Sequence, residues 1–258
     1  MELSKWEAKR ILSLLMDLGE AMLQSGAEIH RVEDTLHRVG QAYGAQRTEV
    51  FAINSCIVTT MVFAHMGEFV SSRRISSGEQ TDLTRLEELN RLSRRIAADP
   101  LPADAFEAQL HQALSFVPAD WKGAVGSMLA AGGFCLFFGG TLADGAVSLL
   151  LGAFIWALQK WFGPLSPNKV FFNFVASLLC GLLTCGICHG IPSLGMDRIL
   201  IGDIMLLIPG IAFTNSVRNM LVGDTMSGTM RLVEALLVAV ALACGFMLAI
   251  VLAGGGLL

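Results

Sequence analysis

Lys122-Gly123-Ala-Val-Gly-Ser-Met-Leu-Ala-Ala-Gly-Gly-Phe-Cys-Leu-Phe-Phe-Gly-Gly-Thr-Leu142 divides the chain, because after its lysine no charge appears until Asp144. From residue 123 to residue 258 there are five Lys/Arg and five Asp/Glu, against 13 and 17 in residues 1–122. A transmembrane helix needs about 20 mostly apolar residues to cross ~30 Å of hydrocarbon. The second half supplies five such blocks, at residues 123–142, 145–162, 170–190, 199–217 and 233–255. The expected fold is a membrane α-helical bundle of about five transmembrane helices (121–258), preceded by a small cytosolic α+β domain (1–120).

Composition agrees with this division. Hydrophobic residues make up 53% of the chain and mean hydropathy is +0.60, above the roughly 45–50% apolar content of globular domains. The net charge of −4 lies wholly in the front part. An acidic front without basic clusters argues against nucleic acid and against docking to anionic headgroups. The opening residues Met1-Glu-Leu-Ser-Lys-Trp-Glu-Ala-Lys-Arg10 are too charged for a secretory signal. With the front domain inside, five crossings put Lys160, Lys169, Arg218 and Arg231 on the cytosolic side and leave only Arg198 outside. That is the Lys/Arg asymmetry expected of a chain whose N-terminal domain lies inside. A short second span is also compatible with a re-entrant segment.

In the front part, residues 4–24 place Trp6, Ile11, Leu14, Leu15, Leu18 and Met22 near one helical face. Ser25-Gly26 breaks that helix. A second helix is expected from about Ala27 to Tyr43, stopped by Gly44. Strands are expected at Val50 to Asn54, Ile57 to Ala64 and Glu68 to Ile75, with a turn at His65-Met66-Gly67. A third helix from about Thr81 presents Leu83, Leu86, Leu89, Leu92 and Ile96 to the core, and Asp99-Pro-Leu-Pro102 ends it. A fourth, Ala103 to Leu114, leads to Pro118.

Three polar constellations stand out. His30, Asp34 and His37 fall at i, i+4 and i+7, a spacing that can hold a metal and equally marks a solvated stripe; the second reading is preferred, and no metal site or cofactor is expected. Cys185-Gly-Ile-Cys188-His189 has the spacing of c-type haem attachment, but it continues an apolar helix in which Gly186 and Gly190 suit close helix contact. The third is the fourth span, Asp203-Ile-Met-Leu-Leu-Ile-Pro209-Gly210-Ile-Ala-Phe-Thr214-Asn215-Ser-Val-Arg218-Asn219. Pro209 removes a backbone hydrogen bond at mid-span, and ionisable residues inside a membrane point to a pathway. The alternative is a structural kink whose freed carbonyl is met by Thr214 or by a neighbouring helix. No hydrolase or nucleotide-binding motif is present.

Two stretches carry a family resemblance. Ser25-Gly26-Ala-Glu-Ile-His-Arg31-Val-Glu33-Asp-Thr35 and Pro209-Gly210 through Thr214-Asn215, Arg218-Asn219, Gly223-Asp224, Ser227-Gly228 and Arg231 resemble the two signatures of the threonine/serine exporter family. The resemblance implies secondary export rather than catalysis, across a bacterial inner membrane; together with Asp203 from the reading of the fourth span, Pro209, Gly210, Thr214, Asn215, Arg218, Asn219 and Asp224 are the expected substrate or ion pathway. It also implies that Gly26, Arg31 and Glu33 form a cytosolic motif. Asn219 stands where an acidic residue is expected. The length is similar to the larger half of a split exporter, which implies a small hydrophobic membrane partner subunit, an oligomer, and a small amino acid or dicarboxylate as substrate. The competing classes are a membrane-anchored enzyme with a hydrolase-like cytosolic domain, and an assembly subunit that does not itself transport.

Overall fold

The computed structural model describes residues 4–75, 82–115 and 120–253. The chain divides into two compact units, residues 1–118 with 221–227 and residues 119–220 with 228–258.

The first unit runs α1 (Lys5–Gln24), α2 (Ile29–Ala42), β1 (Arg47–Ile53), β2 (Cys56–Phe63), β3 (Gly67–Arg74), α3 (Leu83–Ala98) and α4 (Ala103–Ser115). A capping box opens α1: Ser4 accepts the Glu7 N–H, while the Glu7 carboxylate takes the Ser4 N–H at 2.8 Å. Ile11, Leu15, Met16, Leu18 and Met22 are wholly buried, so α1 is the hub of the core rather than a surface helix with one wet face. Its end is a Schellman turn. Gly26 N–H bonds Leu23 O and Ala27 N–H bonds Met22 O, with Gly26 at φ +90°. Only glycine takes that conformation without strain, which accounts for Gly26 in the first motif.

The three strands form an antiparallel sheet in the order β1-β2-β3. Central β2 alternates as a half-buried strand should, with Ile57, Thr59, Met61 and Phe63 inward. A Cβ on Gly40 would lie 2.6 Å from Thr48 Oγ1, so glycine there lets α2 lie directly on β1. Strand β1 starts at Arg47, earlier than expected at Val50. Two sequence expectations fail because apolar residues at helix starts project past the core. Trp6 is 67% exposed and carries the Arg10 guanidinium over its ring at 5.4 Å; Leu83 is likewise 67% exposed. Thr81 and Pro118 lie outside the described residues.

The second unit holds α5 (Asp120–Phe137), α6 (Leu142–Ala157), α7 (Lys169–Gly190), α8 (Met196–Leu207), α9 (Gly210–Leu221) and α10 (Thr225–Leu252). A π turn over Leu158–Phe162 and a short 3₁₀ turn extend α6 to Leu165. Among the described residues, three helices are long and apolar enough to cross a membrane: Leu142–Leu165, Lys169–Gly190 and Thr225–Leu252. The pair α8 and α9 makes a fourth if counted as one span. The structure thus gives three or four spans where the sequence reading has five. The difference is α5, which begins with Asp120 and Lys122 and stops at Phe137, short of the expected end at 142. Gly139 turns the chain at φ +86°, and Thr141 caps α6.

Helices in this unit meet at small residues. A Cβ on Gly181 would lie 2.6 Å from the Ala249 Cβ, and one on Gly245 would lie 2.6 Å from Phe174 O, so α7 and α10 touch along Ser177/Gly181 and Gly245/Ala249. A Cβ on Gly152 would lie 2.6 Å from Ser127 O, which brings α6 onto α5. Lipid gives helices no hydrophobic reason to associate, so close approach of this kind supplies the packing energy. The expected pair Gly186 and Gly190 meets open space instead.

Candidate functional site

Ile204 O accepts the Ile208 N–H at 2.9 Å, closing α8; Pro209 O accepts the Phe213 N–H at 3.0 Å, opening α9. Between them Ile208 is extended (φ −61°, ψ 129°), and the two helices meet at a 53° bend. The cause is local. Proline has no N–H to continue α8, and its ring disfavours helix at the preceding residue. The expected break at Pro209-Gly210 is present.

One turn before the break, Asp203 is fully buried. Its Oδ1 accepts the Ser148 hydroxyl of α6 at 3.0 Å, and its Oδ2 is buried without a partner. Gly202 beside it closes the packing: a Cβ there would lie 2.6 Å from Ser148 Oγ, 2.7 Å from Ala131 O and 2.9 Å from Cys135 Cβ. Asp203 therefore sits in the seam of α5, α6 and α8. Ser148 is the residue of this seam that sequence reading missed; the available signal was its four-residue spacing from Gly152 within an apolar span.

A second buried carboxylate contrasts with it. Asp144, in the first turn of α6, accepts the Thr141 N–H (2.8 Å), the Thr141 hydroxyl (2.8 Å) and the Gly195 N–H (2.8 Å). It caps α6 and ties down the loop before α8. The sequence reading used Asp144 only to mark the end of a charge-free stretch.

The remaining pathway candidates lie across the break. On α9 only Ser216 and Asn219 are buried, while Thr214 and Arg218 are exposed and Asn215 is half-buried. Thr214 thus does not lie buried at the break; it is the Ser216 hydroxyl that bonds back to its own helix, to Phe213 O at 2.6 Å. Asn219 Nδ2 is buried without a partner. A Cβ on Gly228 would lie 2.8 Å from Ser216 O, which sets α10 close to α9. Asp224 begins α10 by accepting the Ser227 N–H at 3.3 Å, after Gly223 at φ +100°. Arg218 and Arg231 both have partners, and Arg231 is buried. Asp203 and the α9 polar residues thus belong to separate packing groups on the two sides of the bend.

Cys185 and Cys188 point into the bundle from the last turns of α7, with Cys185 Sγ 3.8 Å from Met196 Sδ, while His189 is exposed. In the front unit, His37 Nδ1 meets Thr48 O at 2.7 Å and Asp34 pairs with Arg38 at 2.8 Å. Two of the three residues at metal-ligand spacing are thus otherwise engaged. Arg31 is exposed, in a groove shared with Arg38, Asn90, Ser93 and Arg94. Glu33 accepts the Ala52 N–H at 2.9 Å and so fixes α2 to β1. Burial pushes its carboxyl above the ordinary carboxylate value against the pull of that bond, and the charge of Asp224, in the same compact unit, pushes the same way.

The family model described as "Putative threonine/serine exporter" matches residues 13–253. A "Probable threonine/serine exporter" of Mycobacterium tuberculosis is 23% identical over 252 residues, covering 94% of this chain and 46% of that protein. A "Threonine/serine exporter" of Corynebacterium glutamicum is 22% identical over 236 residues, covering 88% and 48%. The chain spans about half the length of these curated relatives. No solved structure matches. The chain belongs to the threonine/serine exporter family, a family of multi-pass transporters and not of enzymes.

Proposed function

We propose, from this membership, that the chain is one subunit of a secondary exporter of small polar metabolites and acts with a separate small membrane subunit. The observation that carries the reading is the fully buried Asp203 beside a span broken at Pro209. A mere anchor needs neither, and a charge at the bilayer centre costs about 2.5–3.5 kcal/mol on insertion scales. Broken helices lining central sites are a recurrent transporter device. In this reading α5 is a fifth span, the front domain is cytosolic, the C-terminus is outside, and the bilayer is the bacterial inner membrane. Arg218, on the cytosolic side, attracts the carboxylate of a small amino acid or a dicarboxylate. Asn215, Asn219 and Asp224 line the route, and Arg31 and Glu33 transmit the state of the front domain.

Efflux of threonine, serine and succinate from preloaded proteoliposomes, with and without the small subunit, tests the proposal. Asp203→Asn, Arg218→Ala and Pro209→Ala are each expected to cut efflux several-fold at matched protein levels. Normal efflux from all three would move the pathway to the partner. Cysteine labelling at Ser55 and Pro192 should report opposite membrane faces; the same face for both would overturn the five-span arrangement.

A further inference from the structure

We infer that Asp203 and Ser148 form a proton-binding site in which the carboxyl is neutral while the α5–α6–α8 seam is closed. The inference deepens the exporter reading by naming the residues that hold a proton, and rests on that reading only for the proton's use.

Asp144 and Asp203 are both shielded from solvent in one unit, Asp144 near a helix end and Asp203 deep among the helices, and they are differently supplied. Asp144 receives three donated hydrogens on its two oxygens, the environment of an anion. Asp203 receives one, from Ser148, and its Oδ2 has none. An ionised carboxylate without a counter-charge or further donors is not stable out of water, whereas a carboxylic acid is. Protonation turns the orphaned acceptor Oδ2 into a donor. A backbone acceptor, Ala131 O, lines the same seam beside Gly202.

The groups facing Asp203 do not replace the proton. They are the thiols of Cys135 on α5 and Cys180 on α7, and the Ser148 hydroxyl on α6 with Asp144 one turn before it. On α8 itself, Asp197 and Arg198 lie more than a turn earlier, near the Asp144 end. A metal ion would require several oxygens at short range. Ser148 Oγ, Ala131 O and Cys135 Cβ already fill the space beside Gly202. A proton requires one oxygen and no room. When the seam opens to water, the Oδ2–H bond breaks, the proton passes to a water molecule, and the carboxylate left behind is stabilised by hydration. Uptake from the outside and release to the cytosol would let an inward proton gradient drive outward movement of substrate.

Infrared spectroscopy of the full chain in nanodiscs tests the site without transport. The C=O stretch of a protonated carboxylic acid is expected at neutral pH; Asp203→Asn should remove it, Ser148→Ala should shift it, and Asp144→Asn should leave it. If Asp203→Asn does not fold, Asp203→Glu should displace the band. In proteoliposomes with the small subunit, threonine efflux by the parent should rise at least tenfold under an imposed inward proton gradient, and the residual efflux of Asp203→Asn should not respond. No such band, a band untouched by substitution at 203, or gradient-driven efflux retained by Asp203→Asn would overturn the inference. A band with no transport by the parent would leave the proton site standing and overturn the exporter reading.

Discussion

In the front unit Arg73 ties β3 to Asp17 and Glu20 of α1, and Arg10 ties α1 to Asp104 and Glu107 of α4, through ion pairs that are half-buried or exposed. In the helical unit one carboxylate is buried with three donors and another with a single hydroxyl. The cores differ in the same sense. Phe106, Ile11, Leu15, Leu36 and Met61 fill the first, whereas glycine, serine and alanine make the closest contacts of the second. Water drives large apolar side chains together, so a core that forms in water is built from bulk. Lipid is as apolar as leucine, so membrane helices gain by approaching closely and by satisfying polar groups among themselves. A large residue fills a core in one unit and would obstruct a seam in the other.

The sharpest way to break this comparison is Gly202→Leu. Its Cβ alone would meet three atoms within 3 Å, so most stably inserted protein should be lost in detergent size-exclusion chromatography. Gly186→Leu, which meets open space, should leave the yield unchanged. Equal losses would refute the seam.

Next in size is Phe106→Ala. Truncating a wholly buried phenylalanine costs about 3–5 kcal/mol. Hydrogen exchange should show α1 and α4 losing protection while α7 and α10 keep theirs. Equal loss in the membrane helices would show that the units are not energetically separate. Gly26→Ala places a Cβ at φ +90° and should cost about 1–2 kcal/mol, read as faster exchange at the α1–α2 turn.

The smallest expected effect is the pH response of Glu33. Its folded carboxyl sits above the ordinary value because of burial, so the folded state binds the proton more tightly than the unfolded one. Stability of the front unit should therefore fall as pH rises from the ordinary carboxylate value through the folded one. Glu33→Gln keeps an acceptor for the Ala52 N–H and should flatten that fall, measured by exchange of the α2 amides across the window. A slope unchanged by Glu33→Gln would assign the response elsewhere.

Periodicity, turn chemistry and apolar length were enough to read four helices and three strands in order, the glycine turn at Gly26, and the break at Pro209-Gly210. Each of these is decided within a few residues: φ > 0 at Gly26, a missing N–H at Pro209, alternation along Ile57–Phe63. The apolar length of residues 145–162 and 170–190 likewise needed no partner to be recognised. Sequence placed Asp203 inside a membrane helix but not beside Ser148, 55 positions away. It proposed Gly186/Gly190 as a helix contact, where the structure uses Ser177/Gly181 and Gly245/Ala249. It set Leu83 in the core and Trp6 on the apolar face of the first helix, where the structure leaves both exposed. Which face of a helix is buried, and which hydroxyl reaches which carboxylate, depends on the neighbouring helices, whose packing is a property of the whole bundle and not of any one segment.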